Sequence, residues 1–324
     1  MFNNLINYHD LKIFFDYKKI RKLLKRMSET SSDAIKETWT ANISRPRCWD
    51  IPAVRARWNF LISGSPDIDE YDYIHNKYLA SINSIKALSL ACGTGHCELN
   101  WASFNNINRI DAYDLSDERI VYAKNEAAKM NCNKVNFQVG DVYKIELKPN
   151  HYDLIIAEQA LHHFTPLRQI IERISYTLKP TGYFFINEFI GPSMFQWTKN
   201  QINAVNSILK LLPPKYRVIY DSNKLKSKVY RPSRLSMKLS DPSEAVESSN
   251  IMPLLREKFE IVEMKGYGGT IISLLFEDIA HNFVGNDDCT KQVLSTCFEI
   301  EDMLIKNKQI DNDYVIAVCR KRRG

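Results

Sequence analysis

No run of about 20 apolar residues occurs in these 324 residues, so the sequence offers no helix long enough to cross a bilayer. The N-terminus lacks the unbroken apolar core of a secretory signal, because Asp10, Lys12 and Asp16 interrupt it. The cysteines, at 48, 92, 97, 132, 289, 297 and 319, are odd in number and contain no CxxC pair. That pattern argues against a disulfide frame or a zinc ribbon and fits reduced thiols in a cytoplasmic protein. Histidines 151, 162, 163 and 281 lack metal-ligand spacing, and an adjacent pair on an extended strand end would point opposite ways, so no metal is expected. There is no internal repeat and no long aromatic-poor region that would read as disorder. Basic residues are dispersed apart from clusters at the N-terminus and at Arg320–Arg323, so a formal charge of +6 does not mark out a nucleic-acid surface.

What is present is a patterned globular chain. Residues 4 to 27 place Leu5, Leu11, Phe14, Phe15, Ile20, Leu23, Leu24 and Met27 at helical spacing, with lysines and arginines between them. This predicts a basic amphipathic helix that docks on its own domain, on a second copy in a homodimer, or on an anionic membrane surface. From Ile85 onward short apolar runs alternate with helical periodicity, the pattern of successive βα units and a mostly parallel sheet. The predicted strands are 85–90, 109–113, 134–139, 152–157 and 183–187, with helices at 97–104, 117–130 and 167–178. A long helix over 193–212, a Ser-, Pro- and charge-rich segment over 215–250, strands at 259–264 and 314–319, and helical stretches at 271–283 and 291–305 complete the chain. The expectation is an α/β, Rossmann-like, doubly wound, seven-stranded sheet. An N-terminal helical cap (1–80), a core (81–191), a lid or insertion before strand six (192–257) and a core completion (258–324) divide it.

The informative stretch runs Ala87-Leu88-Ser89-Leu90-Ala91-Cys92-Gly93-Thr94-Gly95-His96-Cys97-Glu98. A buried strand enters a turn of tiny residues and then a helix, so backbone can approach a ligand at the carboxyl edge of strand one. A dinucleotide fingerprint would need a third glycine where Glu98 stands, and tight helix-to-strand packing has no room for that side chain. The turn resembles motif I of the class I S-adenosylmethionine (SAM)-dependent methyltransferases, whose common form ends GCGTG, here Ala91-Cys92-Gly93-Thr94-Gly95. Two departures stand out: Ser89 occupies a position where the family often has an acid, and Ala91 replaces the first glycine.

The resemblance continues in order along the chain and over about residues 85 to 190. Asp114, followed by Leu115, matches the acid that accepts from both ribose hydroxyls; Gly140-Asp141-Val142 matches the adenine-binding motif. The run 152–164, with Glu158 at the strand end, matches the strand-four motif at the active-site mouth. The resemblance therefore implies a SAM cofactor held by Ala91, Cys92, Gly93, Gly95, Asp114, Leu115, Asp141, Val142 and Glu158. Segments 49–58, 191–197, 241–245 and 267–270 are similar to parts of bacterial small-molecule methyltransferases.

Methyl transfer needs an aligned nucleophile, and a hydroxyl acceptor needs a base. His162 and His163 past strand four, and Glu188 at the end of strand five, are the candidate catalytic residues. Arg55 and Arg57 are candidates to clamp an acceptor anion, against the alternative of surface pairing, and Tyr267 beside Gly268 and Gly269 is a candidate to stack on it. Trp39, Trp49, Trp58 and Trp197 are candidates to line a cap pocket or to pack in the core. The expected function is methylation of a small molecule at a hydroxyl, on a sugar-like or secondary metabolite. RNA or protein methylation, or a non-catalytic SAM-binding subunit, are the alternatives.

Overall fold

The computed structural model describes residues 45–322, so the basic helix expected at 4 to 27 and Trp39 lie outside the described residues. The chain enters through a single 3-10 turn into α1 (Pro52–Ser63), which has proline in its first turn and closes on Gly64 in the left-handed region. Helix α2 (Glu70–Ile74) is started by the Asp69 side chain, which accepts from the Asp72 amide, and runs on into a π turn over His75–Leu79.

The βα units follow as the sequence pattern dictates: β1 (Ile85–Leu90), α3 (His96–Ala102), β2 (Ile107–Asp114), α4 (Asp117–Lys129), β3 (Val135–Val139), β4 (Tyr152–Glu158), α5 (Leu167–Thr177) and β5 (Leu178–Phe189). The order across the sheet is β3-β2-β1-β4-β5-β7-β6. Strands β1 to β5 pair in parallel, while β7 (Tyr314–Lys321) runs antiparallel between β5 and β6 (Phe259–Gly266). The order reverses at β1, between β2 and β4, where a doubly wound sheet opens its ligand crevice.

Two apolar clusters cover the two faces of the sheet. One joins Val54, Trp58 and Ile62 of α1 and Ile74 of α2 to Leu99, Trp101, Ile120 and Ala123 of α3 and α4. The described part of the N-terminal cap thus shares a core with the sheet. The other cluster packs Ile170, Ile171 and Ile174 of α5 against Ile251, Met252 and Leu255 of α8 (Ile251–Lys258). Much of the 192–257 segment is anchored: Met237 and Ala245 are buried, and the Ser248 hydroxyl donates to the Gly191 carbonyl.

Two expected helices are broken. Ser193–Phe195 is a 3-10 turn with Met194 and Phe195 at positive φ, and α6 (Lys199–Leu211) starts afresh where Thr198 and Gln201 form a reciprocal capping box. Helix α7 (Arg234–Ser240) follows. Helix α9 (Ile272–Phe276) also stops early, because the buried Lys226 ammonium takes the carbonyls of Leu274, Leu275 and Glu277 and Asp278 turns to positive φ. The 3-10 turn Ala280–Phe283 and the long α10 (Asp288–Lys306) then lead to β7. All seven cysteines are free thiols. No helix among the described residues is long and apolar enough to cross a membrane.

Candidate active site and cofactor cleft

At the tip of β1 the chain turns through three left-handed residues, Ala91 (φ 55°), Gly93 (54°) and Gly95 (81°). Gly95 begins α3, and a Cβ there would lie 2.6 Å from Phe137 Cζ and 2.8 Å from Ala123 Cβ, so β3 and α4 fix that glycine. The departure at Ala91 keeps the turn at the expense of a conformation that L-residues disfavour.

Asp114 ends β2 and bridges the cleft: its Oδ2 accepts from the Gly93 amide at 2.9 Å and its Oδ1 from the Ser116 amide at 2.8 Å. An ionised carboxylate offers about four lone-pair positions, so two amides leave each oxygen with room for a ligand hydroxyl. Leu115 beside it is half-buried. The Gly140 amide donates to the Asp114 carbonyl, drawing the tip of β3 alongside. There Asp141 accepts from the Tyr143 amide at 2.9 Å and pairs with Lys144 at 3.0 Å, while Val142 is buried. Three strand tips therefore place the carboxylates of Asp114 and Asp141 and the backbone of the glycine turn on one edge of the sheet. Two carboxylate acceptors beside a turn of small residues fit an adenosyl group, and the Arg119 guanidinium of α4 stands against Gly93.

Glu98 has a place that the sequence reading did not assign. It is not excluded by close packing of α3 on β1. Its carboxyl is folded inward, and Ser89 Oγ donates to its Oε1 at 2.5 Å. Burial pushes this carboxyl up to about 7. The signal in the sequence was the pairing of a missing acid at Ser89 with an extra one at Glu98.

The strand-four tip departs from expectation. His162 and His163 stand on a 3-10 turn (Leu161–His163) and not on an extended strand end, so their rings do not splay: the centroids are 4.0 Å apart. One donor atom from each, together with one from Glu244, falls within 4.8 Å of the others, which removes the geometric ground on which a metal was discounted.

His162 Nδ1 lies 2.6 Å from Glu188 Oε1, and Nε2 lies 3.6 Å from Glu244 Oε1. Glu188 is fully buried at the end of β5 and accepts from the amides of Ala160, Leu161 and Phe189. Burial draws Glu188 up to about 8 against the pull of these amides; because both of its oxygens already accept backbone N–H groups, we assign Nδ1–H as the donor to Oε1. Burial holds the His162 imidazole down at about 4, which leaves Nε2 an unprotonated acceptor at neutral pH. His163 is also pushed down by burial and by the neighbouring His162. Glu244, in the segment expected as a lid, is raised by burial to about 8.

Glu158, at the end of β4, accepts from Trp101 Nε1 at 2.8 Å and from the Tyr71 hydroxyl at 3.2 Å. Burial and the nearby Glu70 raise it to about 8. Its two oxygens thus tie the strand tip to α3 and α2.

The structure gathers Arg55 and Tyr267 but not Arg57. Arg55 Nη1 is 3.7 Å from Glu70 Oε1, which accepts from Asn187 Nδ2 at 3.3 Å; Asn187 Oδ1 accepts from the Tyr267 hydroxyl at 2.5 Å. These four residues meet at the tip of β5. Arg57, half a turn further along α1, faces α10. It pairs with Glu301 at 3.0 Å and Asp302 at 2.5 Å and lies over Phe298. Trp58 packs on Tyr267 and Tyr314, Trp197 stacks on Phe195, and Trp49 is exposed under Arg47.

The curated relatives match over a third or so of this chain. They include a malonyl-[acyl-carrier protein] O-methyltransferase of Bacillus anthracis, 28% identical over 38% of this chain and 44% of its own length. Another is the sterol 24-C-methyltransferase of Saccharomyces cerevisiae, 31% identical over 36% of this chain and 31% of its own length. The matched part thus spans less than half of either relative. Among solved structures, phosphoethanolamine N-methyltransferase 2 of Haemonchus contortus, in complex with phosphomonomethylethanolamine and S-adenosylhomocysteine, shares the fold. Its TM-score is 0.51 at 15% identity, covering 92% of this chain and 61% of that one. A family model described as a methyltransferase domain matches residues 83–258, more than half of the chain and the whole span from the glycine turn to His162 and Glu188. The chain therefore belongs to the methyltransferase domain family, whose cofactor is SAM.

Proposed function

We propose that this chain methylates a hydroxyl of a small, sugar-like or secondary-metabolite acceptor, with His162 as the general base and Glu188 as the residue that orients it. The observation that carries this reading is the buried Glu188–His162 pair at the tips of β5 and β4, next to the Asp114 cleft. When bound, SAM supplies a methyl group on a positively charged sulfur and leaves as the neutral thioether S-adenosylhomocysteine.

The protein's share is to bind, align and deprotonate. Asp114 would take the ribose diol, Asp141 and Val142 the adenine, and the turn Ala91–Gly95, with Leu115 alongside, the remainder of the nucleoside. His162 Nε2 would accept the acceptor's proton as the new carbon–oxygen bond forms and the carbon–sulfur bond breaks. Glu188 fixes the ring through Nδ1 and steadies the positive charge that Nε2 acquires. His163 and Glu244 sit where they would shape the space around the acceptor oxygen. Arg55, Glu70, Asn187 and Tyr267 would hold the distal part of the acceptor. Arg57 is committed to Glu301 and Asp302, and we assign it no contact with the acceptor.

The printed names of the relatives include both O- and C-methyltransferases, so the hydroxyl assignment rests on the His162–Glu188 geometry and not on the likeness. The test is S-adenosylhomocysteine release from purified protein against panels of hydroxylated, amine and carbanion-forming acceptors. Turnover confined to hydroxylated acceptors, and lost in His162→Ala, is expected. Turnover of an amine or carbon acceptor that survives His162→Ala would overturn the assignment.

A further inference from the structure

Among the described residues, one set of three side chains of metal-binding type converges: a ligand atom from each of His162, His163 and Glu244 lies within 4.8 Å of the other two. Two imidazoles with one carboxylate make a donor set for a borderline transition-metal dication, and zinc bonds of about 2.0 to 2.2 Å put neighbouring ligand atoms roughly 3.4 Å apart. His162 Nε2 and Glu244 Oε1, at 3.6 Å, already stand near that spacing. The His163 ring, its centroid 4.0 Å from that of His162, borders the same point.

The layer behind the cluster sets it apart from a chance meeting. A histidine that binds a metal through one ring nitrogen donates through the other to a carboxylate or a backbone carbonyl, which fixes the ring and its tautomer. Both histidines have such a partner. His162 Nδ1 is 2.6 Å from Glu188 Oε1, which leaves Nε2 facing Glu244, and His163 is hydrogen-bonded to the backbone of Ser243. Ser243 directly precedes Glu244, and a turn holds them both: Asp241 Oδ1 accepts from the Ser243 amide at 2.9 Å and from its hydroxyl at 2.7 Å. The next residue, Ala245, is buried, and its carbonyl accepts from the Met194 amide at 2.6 Å. The segment 241–245, to which methyl transfer gives no chemical step, thus supplies one ligand and the support of another.

The charges around the cluster also suit a dication. Glu188, Asp241 and Glu277 bear on it in addition to Glu244, against two guanidiniums, Arg47 toward Glu244 and Arg119 toward His163. We propose that His162 Nε2, His163 and Glu244 bind one zinc ion, with the fourth position left to water or another ligand. Nε2 is also the atom assigned to take the acceptor's proton, so zinc and that proton compete for one lone pair and the metal inhibits methyl transfer; only this consequence rests on the general-base reading.

The test is titration of the full chain, first stripped with a chelator, with Co2+ as a spectroscopic probe of the zinc site. One equivalent of Co2+ is expected to bind with the visible absorption bands of a four- or five-coordinate nitrogen and oxygen site. Zn2+ should displace it, and Mg2+, which favours oxygen ligands, should not. His163→Gln and Glu244→Gln should each weaken Co2+ by at least roughly 10-fold with the circular dichroism spectrum unchanged. Wild-type protein that binds no stoichiometric Co2+ overturns the proposal without recourse to any variant. So does the intense near-ultraviolet absorption of a cobalt–thiolate bond, which would place the ion on one of the free cysteines, or an affinity unchanged in both variants. Zinc that binds here, by the loss in both variants, yet leaves S-adenosylhomocysteine release undiminished sustains the site and overturns His162 as the base.

Discussion

The tips of β1 to β3 and the tips of β4 and β5 are built on different plans. On the first side the parts are close in sequence and are held by backbone: the Gly93 and Ser116 amides fix Asp114, and the Asp114 carbonyl holds Gly140. On the second side, side chains from distant parts of the chain meet. Glu188 reaches His162, Glu244 comes from the segment before α8, and Arg55 and Glu70 come from the cap to join Asn187 and Tyr267. The first side is built from local turns, whereas the second borrows its walls from elements outside the βα repeat.

That division can be broken or sharpened by substitution. His162→Ala should lower kcat/KM by roughly 100- to 10,000-fold, the usual worth of a general base, while S-adenosylhomocysteine affinity stays within about 3-fold. Parallel turnover assays and calorimetry decide it, and a large loss of affinity would show that the two sides are not separable.

The two arginines of α1 should part company. Arg57→Ala strands the fully buried Glu301 and is expected to lower unfolding free energy by about 3 to 5 kcal/mol in urea titrations. Arg55→Ala, which removes a half-exposed and longer contact, should cost under about 1 kcal/mol and instead raise the acceptor KM. Asp114→Ala should weaken S-adenosylhomocysteine by roughly 10- to 100-fold with the acceptor-side geometry intact, read by calorimetry.

A further effect is electrostatic. Glu158 is raised to about 8 in the folded chain from an ordinary value near 4.5. The folded state therefore binds its proton more tightly than the unfolded state, and the stability this contributes is present at low pH and is lost as pH rises toward 8. Ligand-free thermal unfolding followed from pH 5.5 to 8 should show declining stability. Glu158→Gln should remove its share of the slope, at most about 1.4 kcal/mol per pH unit. Glu98, raised to about 7, adds to the same slope over a narrower window. A slope unchanged in Glu158→Gln would mean that Glu158 is ionised in the folded chain.

How far the sequence foretold this follows the same division. The βα alternation, the glycine turn and Asp114 are local patterns, and the seven-stranded sheet built on them is the one observed. The expected breakpoints went astray where a side chain overrules periodicity. Lys226 ends α9 from a distant part of the chain, and Thr198 with Gln201 restarts a helix that apolar spacing alone would have run together. The adjacent histidines were read as splayed because a strand end was assumed, whereas three residues of 3-10 turn bring their rings together. Glu70 and Asn187 carried no motif, and Glu244 stood out only as part of the 241–245 resemblance. Their places are set by neighbours far along the chain, as with Asn187 on Glu70 and His162 near Glu244, which periodicity does not encode.

Glu70 and Tyr71 are consecutive residues of α2, yet they fasten to different strand tips: one meets Asn187 of β5 and Arg55, the other donates to Glu158 of β4. A short helix thus works as a shared hinge post. Any displacement of α2 would unfasten both tips at once, so five residues couple the end of β4 to the end of β5.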